Sequence, residues 1–334
     1  MIVVSSKDVA KHAGVSQTTV SRVLNTPDLV KQKTKDKVLK AIEKLSYVPD
    51  ANARSLVQKK TGVITLLSGP LHNPFFVDTT TAIVNYANEN GYRVNVHFVN
   101  DKKLSEAYSS AIENKVDGMI LSCILLDDPI FERLKRMSIP FITYNRKHKN
   151  EELFVEIDNE EAGFLAAEHL IQLGHKDIAW VGGPLTVSTF KNRFEGYKKA
   201  LKKHRIIENP LYIFHTDSSK NDIQKAFEDL QNCINKPTAI CSGADSVAFN
   251  LMNNALSSGL KIPEDISIIG IDNVDLSNHG AMQLTTVGSI TENNLGRLAI
   301  EKLIEMIELE KSTCIQITES VKVFLRNTTA KRKD

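Results

Sequence analysis

From residue 61 onward, short β-branched runs and longer amphipathic stretches take turns along the chain, and that alternation narrows the fold more than any other feature. Residues 63–67, 94–99, 119–122, 141–144, 178–181, 239–241 and 267–272 read as strands. Helical periods separate most of them, over 76–89, 104–114, 161–173 with Gly174 as its stop, 190–204 and 246–258. Strand, helix and strand in repetition give parallel sheets wrapped by helices. Two such sets, before and after about residue 160, predict an α/β core of two doubly wound lobes. A chain of 334 residues is too long for one comfortable core, and 42% hydrophobic residues place it among ordinary globular proteins. No stretch approaches a membrane span.

Residues 6–24 follow a different rule, reading as two short helices joined by a tight turn. Ser6 is a candidate N-cap, Val9 and Ala10 point inward, and Gly14 takes the left-handed conformation that ends the first helix. Ser16 then caps a second helix. On it Val20 and Val23 fall at i and i+3 and face inward, leaving Gln17, Thr18, Ser21 and Arg22 outside. Polar side chains at the start of a second helix are what a DNA major groove is read with, and the pattern is a helix-turn-helix. A third helix is expected from a Thr34 cap.

Charge supports that reading. Residues 1–60 carry 12 Lys and Arg against 5 Asp and Glu, a net +7, which leaves 30 against 35, a net −5, within an overall +2. Positive charge confined to the helix-turn-helix module is the footprint of phosphate binding. Cys123, Cys233, Cys241 and Cys314 are scattered, with neither a close pair nor a neighbouring His, so neither a metal site nor a disulfide framework is expected. Lys7 and Asp8 stand where an export signal needs its apolar run, and the protein is expected to stay in the cytoplasm.

The run Asp8-Val9-Ala10-x-x-Ala13-Gly14-Val15-Ser16-x-x-Thr19-Val20-Ser21-Arg22-Val23 resembles the DNA-binding head of the lactose repressor/galactose repressor family of bacterial transcription factors. The likeness continues through Asn25, Thr34, Val38, Tyr47, Val48 and Pro49. It extends over essentially the whole chain, through Asn73-Pro74-Phe75-Phe76, Val116-Asp117-Gly118-Met119-Ile120, Leu173-Gly174-His175 and Asp265-Ile266-Ser267-Ile268-Ile269-Gly270. The resemblance implies a helix-turn-helix head over 1–49, a hinge helix over 50–60 and a core over 61–330 built like periplasmic sugar-binding proteins. It further implies that the chain crosses between the lobes near Asp158, Gly288 and Glu319. One lobe then takes about 61–158 and 289–318, the other about 159–288 and 319–330.

For DNA, Gln17 and Thr18 are the expected specificity pair, and Arg22 a contact to guanine or phosphate. Lys7, Ser16, Ser21, Asn25 and Thr34 are expected phosphate anchors. The resemblance implies a hinge in which Ala53 packs on its dimer mate, Leu56 wedges into the minor groove and Arg54 meets the backbone. Asp50 departs from the family's usual Asn there.

Ligands of open parallel sheets bind beyond the strand C-termini. The residues so placed are His72 and Phe75, Asn145 and Arg146, Asp245 and Asp272, to which the resemblance adds Arg193. A guanidinium and a carboxylate chelate the vicinal hydroxyls of a cyclic polyol while an aromatic ring covers its C–H face. Arg193 and Asp272 are therefore the expected clamps and Phe75 the floor. The effector is expected to be a sugar, with an acidic sugar or a sugar phosphate, which His72, Arg146 and Arg193 together would receive, as the second alternative. Ala244, Asn145, Asp217 and the segment after Leu284-Thr285-Thr286-Val287 depart from the family's pattern.

The reading is a sequence-specific repressor of carbohydrate-utilisation genes, controlled by a small molecule between the lobes and free of other cofactors. No C-terminal coiled coil follows the helix expected over 291–309, so a homodimer on a palindromic operator is expected rather than a tetramer. A phosphocarrier protein acting as corepressor, as in the family's catabolite-control branch, stays an open partner. An enzyme has no support from the motifs: there is no Gly-x-Gly-x-x-Gly, no phosphate-binding Gly-Lys-Ser/Thr loop, no Gly-x-Ser-x-Gly elbow and no His-Glu-x-x-His. An exported solute-binding protein conflicts with the DNA head and the charged N-terminus.

Overall fold

A computed structural model describes residues 4–48, 60–99, 106, 108, 109, 113, 116–137, 139–150, 152–291, 294–309 and 314–332. The chain divides into two compact units, Met1–Gly62 and Val63–Asp334. The hinge expected over 50–60 lies outside the described residues except for Lys60, and so do Ala53, Arg54 and Leu56. Most of the helix expected over 104–114 lies outside them too.

The first unit contains α1 (Ser6–Ala13), α2 (Gln17–Asn25) and α3 (Gln32–Lys44). They close around Val9, Ala10, Val20, Val23, Val38 and Ala41, all buried. Ser5, not Ser6, caps α1: its hydroxyl and backbone N–H both donate to the Asp8 carboxylate, at 2.7 and 2.9 Å, within a reciprocal capping box. Gly14 adopts φ 66°, sending α2 off at an angle to α1. Ser16 caps α2 by accepting the Thr19 N–H at 3.1 Å. The third helix starts at Gln32 behind Lys31, two residues before the expected Thr34 cap, so Thr34 lies inside the first turn.

The second unit holds two six-stranded sheets. The first contains β1 (Val63–Ser68), β2 (Arg93–Phe98), β3 (Gly118–Leu121), β4 (Phe141–Tyr144) and β5 (Leu153–Ile157), with β11 (Ile315–Glu319) at its edge, in the order β11-β5-β4-β3-β1-β2. The second has β6 (Ile178–Gly182), β7 (Ile213–His215), β8 (Ala239–Ser242), β9 (Ser267–Ile271) and β10 (Thr286–Ser289), with β12 (Val321–Phe324) at its edge, in the order β12-β10-β9-β8-β6-β7. Every pairing is parallel except β10 with β12.

Helices α4 (Pro74–Glu89), α5 (Phe131–Lys135) and α10 (Leu295–Leu309) belong with the first sheet. The second is wrapped by α6 (Asn159–Gln172), α7 (Ser188–Lys203), α8 (Lys220–Asn232) and α9 (Asp245–Ser257). The last helix begins at Leu295 rather than at Thr291. Central strands are buried on both faces, so they read as continuous apolar runs.

The chain passes between the lobes after β5, after β10 and between β11 and β12. The three passages are bonded to one another. Asp158 N–H donates to the Glu319 carbonyl and Ile290 N–H to the Ser320 carbonyl, both at 2.9 Å, while Ser289 and Thr291 hydroxyls donate to the Glu319 carboxylate.

Candidate functional site

On the head, Lys7, Ser16, Gln17, Thr18, Ser21 and Arg22 are exposed, and Asn25 and Thr34 are half-buried. The exposed face of α2 thus carries Gln17, Thr18, Ser21 and Arg22 as a polar edge over a buried Val20 and Val23. The Gln17 amide donates to the Ser6 hydroxyl at 2.9 Å, which ties this exposed side chain to α1. Asn25 donates to Ser21 at 3.1 Å. Ser16 is engaged as a cap, its hydroxyl also meeting that of Thr19 at 2.8 Å.

In the core, a cavity of about 400 Å³ opens between the lobes. It is bounded by Phe75, Asn145 and Arg193, by Asp272 and Asn273, and by Ser289 beside the chain passages. Arg193 projects from α7 and is 1% exposed. Its guanidinium donates to Asp272 at 2.7 Å, to the Gly243 carbonyl at 2.8 Å and to Asn159 at 2.9 Å. Asn159 in turn donates to Glu156 at 3.1 Å, and Glu156 pairs with Lys147. The clamp is therefore tied, through the first residues of α6, to the other lobe.

Two close helix contacts set the position of Arg193. A Cβ at Gly163 would lie 2.6 Å from the Arg193 carbonyl carbon and 2.8 Å from its Cα. A Cβ at Gly196 would lie 2.6 Å from the Phe164 backbone nitrogen. Only glycine at both places lets α6 and α7 approach this closely.

Asp272 and Asn273 follow β9 with φ 136° and 52°, a local conformation that L-residues seldom adopt. It turns the Asp272 carboxylate toward Arg193. Gly288 on β10 makes room for it, since a Cβ there would collide with the Asn273 Cβ. Asn145 has φ 63°, and its carbonyl accepts the Thr189 hydroxyl from the other lobe. Phe75 stacks on Tyr144 with ring centroids 6.4 Å apart, and Tyr144 meets Thr79 at 3.1 Å.

Of the seven cleft residues expected from sequence, the structure brings Phe75, Asn145, Arg193 and Asp272 to the cavity. His72, Arg146 and Asp245 are not among its lining residues. His72 is exposed on the turn before α4. Asp245 is 0% exposed and turned inward, accepting the Thr286 hydroxyl at 2.5 Å and the Val274 N–H at 3.0 Å. It braces the turn that presents Asp272. Burial and the nearby Asp272 carboxylate push Asp245 up to about 7. Burial raises Asp272 as well, against the pull of Arg193.

Sequence reasoning missed Asp78, Thr79 and Thr81 on α4, Asp275, and Ser289 and Thr291 at the passages. Thr79 lies one helical turn beyond Phe75, a signal that was available. Asp275 belongs to the other lobe, and its N–H donates to Asp78 at 3.2 Å. On the opposite flank Leu126 N–H donates to the Thr186 carbonyl and Lys147 N–H to the Ser188 hydroxyl, both at 2.9 Å. The lobes are thus in contact on both sides of the cavity. Among the described residues no His, Cys, Asp and Glu are grouped to hold a metal ion, and no helix is long and apolar enough to cross a membrane.

Residues 59–328 match the family described as periplasmic binding proteins and sugar binding domain of LacI family, and residues 6–50 match the bacterial regulatory proteins, lacI family. The HTH-type transcriptional repressor PurR of Aliivibrio salmonicida (strain LFI1238) is 36% identical over 307 residues, covering 90% of this chain and 92% of that protein. The probable HTH-type transcriptional repressor ExuR of Bacillus subtilis (strain 168) is 32% identical over 334 residues, covering 97% and 98%. A crystal structure of the lac repressor dimer bound to operator and the anti-inducer ONPF matches with a TM-score of 0.84 at 27% identity, over 98% of this chain and 99% of that one.

Proposed function

The chain belongs to the lacI family of bacterial regulatory proteins and is a DNA-binding transcriptional repressor with a ligand-binding core, and from that premise we propose that a small polyhydroxylated effector held between the lobes sets its operator affinity. One observation carries the proposal: the buried Arg193–Asp272 pair faces a cavity of about 400 Å³ beside three bonded chain passages. A ligand there touches both lobes and so binds their arrangements unequally, which is the requirement for shifting a conformational equilibrium. Arg193 and Asp272 chelate hydroxyls, Phe75 covers the C–H face of the ring, and Asn145 supplies an amide from the other lobe.

On DNA the protein acts as a homodimer at a palindromic operator, with α2 of each head in the major groove. Gln17 and Thr18 read base edges, with Arg22 as a further base or phosphate contact. Lys7, Ser16, Ser21, Asn25 and Thr34 hold phosphates, and Ala53, Arg54 and Leu56 form the hinge contacts. The target genes serve carbohydrate use.

Thermal-shift screening of the full-length protein against sugars, followed by operator binding with each hit, tests the proposal. A hit that stabilises the core and changes operator affinity supports it and gives the sign of control. A hit that leaves operator affinity unchanged refutes the coupling. The absence of any hit at millimolar concentration favours a phosphocarrier protein as corepressor.

A further inference from the structure

The charged side chains bounding the cavity among the described residues are Asp78, Arg193, Asp272 and Asp275. Arg193 and Asp272 lie 2.7 Å apart with side chains 2% and 5% exposed, so their charges cancel locally. Asn159 and the Gly243 carbonyl occupy two more of the guanidinium's donors. Among the described residues no other cation lines the cavity. His72 and Arg146 are not lining residues, and Lys147 is paired with Glu156.

That leaves Asp78, half-buried, and Asp275, exposed, lining the cavity from the two lobes, each without an ion-pair partner among the described residues. Asp78 sits on α4 and Asp275 in the turn Asp275–Asn278, close enough for the Asp275 N–H to reach Asp78. Burial and the neighbouring Asp275 charge hold the Asp78 carboxyl above its ordinary range. Between the lobes Asn145 offers a second kind of group. It is 8% exposed, its backbone is fixed by Thr189 and Val155, and its side-chain amide makes no hydrogen bond with any described residue. Facing the cavity, that amide offers a ligand one group that donates and one that accepts.

Resting on the reading of this cavity as the effector site, we infer that the effector is a neutral or amine-bearing polyol, and that Asp78 and Asp275 select it against uronates and sugar phosphates. Hydroxyl and ammonium groups donate to both carboxylates. A carboxylate or phosphate enters the field of two uncompensated negative charges, and the cation that would receive it is already neutralised. Of the three cations that suited an anionic sugar from sequence, His72, Arg146 and Arg193, the cavity holds Arg193.

Calorimetric titration of the full-length protein with glucose, glucosamine and glucuronate, and with ribose and ribose 5-phosphate, tests it. The expected result is binding of a neutral or amine-bearing sugar, with its anionic counterpart weaker by about tenfold or more. Asp78→Asn then narrows that ratio severalfold. An anionic sugar that binds as tightly as its neutral counterpart, displaced by none of the changes at Asp78, overturns the charge selection and leaves the effector site standing. Heat from none of the five sugars overturns both readings together.

Discussion

Gly163→Ala tests whether the close approach of α6 and α7 holds the effector clamp in place. The added Cβ would lie 2.6 and 2.8 Å from the Arg193 carbonyl carbon and Cα, where carbon contacts relax at about 3.5–4.0 Å. The Arg193 carbonyl oxygen would lie closer still, so the helices must separate by more than about 1 Å, and all three clashing atoms are backbone that cannot rotate away. Overpacking of this kind costs about 1–3 kcal/mol, while replacing a helical glycine returns about 0.5–1 kcal/mol. The net is a destabilisation of about 1–2 kcal/mol, which lowers the Tm of a unit this large by roughly 2–4 °C. Because the shift is delivered at the backbone of Arg193, affinity for a bound sugar falls further than stability alone accounts for. Thermal unfolding and calorimetric titration measure both, with Gly280→Ala as control, since nothing lies within 4 Å of a Cβ there. A Gly163→Ala protein with unchanged or raised Tm and unchanged affinity refutes the argument.

Other substitutions probe the same frame. In the folded core Asp245 is held at about 7, above its ordinary value of 3.8, so its contribution to stability is complete below about pH 4 and is lost as pH rises through about 7. Asp245→Asn is expected to flatten the fall in Tm across that window, and an unchanged slope would assign it to other groups. Arg193→Met strands the Asp272 carboxylate and is expected to destabilise the core by about 3–5 kcal/mol. Adding Asp272→Leu should recover part of that loss in denaturant unfolding, and a double variant no better than the single one would deny the coupling. Gln17→Ala is expected to change the order of preference among operator half-sites by about 1–3 kcal/mol per lost base contact, read by competition binding. A uniform loss over all half-sites would place Gln17 on the phosphate backbone.

Much of this fold was legible because the central strands are short, apolar and followed by helices with clear stops. The head was legible for the same reason, since its buried positions recur at helical spacing. β5 escaped notice because Glu156 interrupts its apolar run, and only Lys147 and Asn159, supplied by the fold, make that burial tolerable. β11 and β12 are edge strands with alternating exposure and few apolar residues, which is weak signal in a chain searched for buried runs. In the cleft, position after a strand pointed to Phe75, Asn145 and Asp272. The same rule pointed to Asp245, whose carboxylate instead turns inward over Gly270 to hold Val274 and Thr286. Arg193 came only through the family resemblance, and Asp78 and Asp275 meet only when two lobes distant in sequence are brought face to face.

The adjacency of β11 and β12 governs how the chain must be made. One completes the first sheet and the other the second, though Ser320 alone separates them. Neither sheet is therefore complete until residues 315–324 have been made. Until Ile315 emerges, β5 and β10 present open edges, each a template for pairing with a neighbouring nascent chain. Once made, β11 and β12 become the edges themselves, so both sheets exchange a buried apolar border for a half-exposed, more polar one at almost the same point in synthesis.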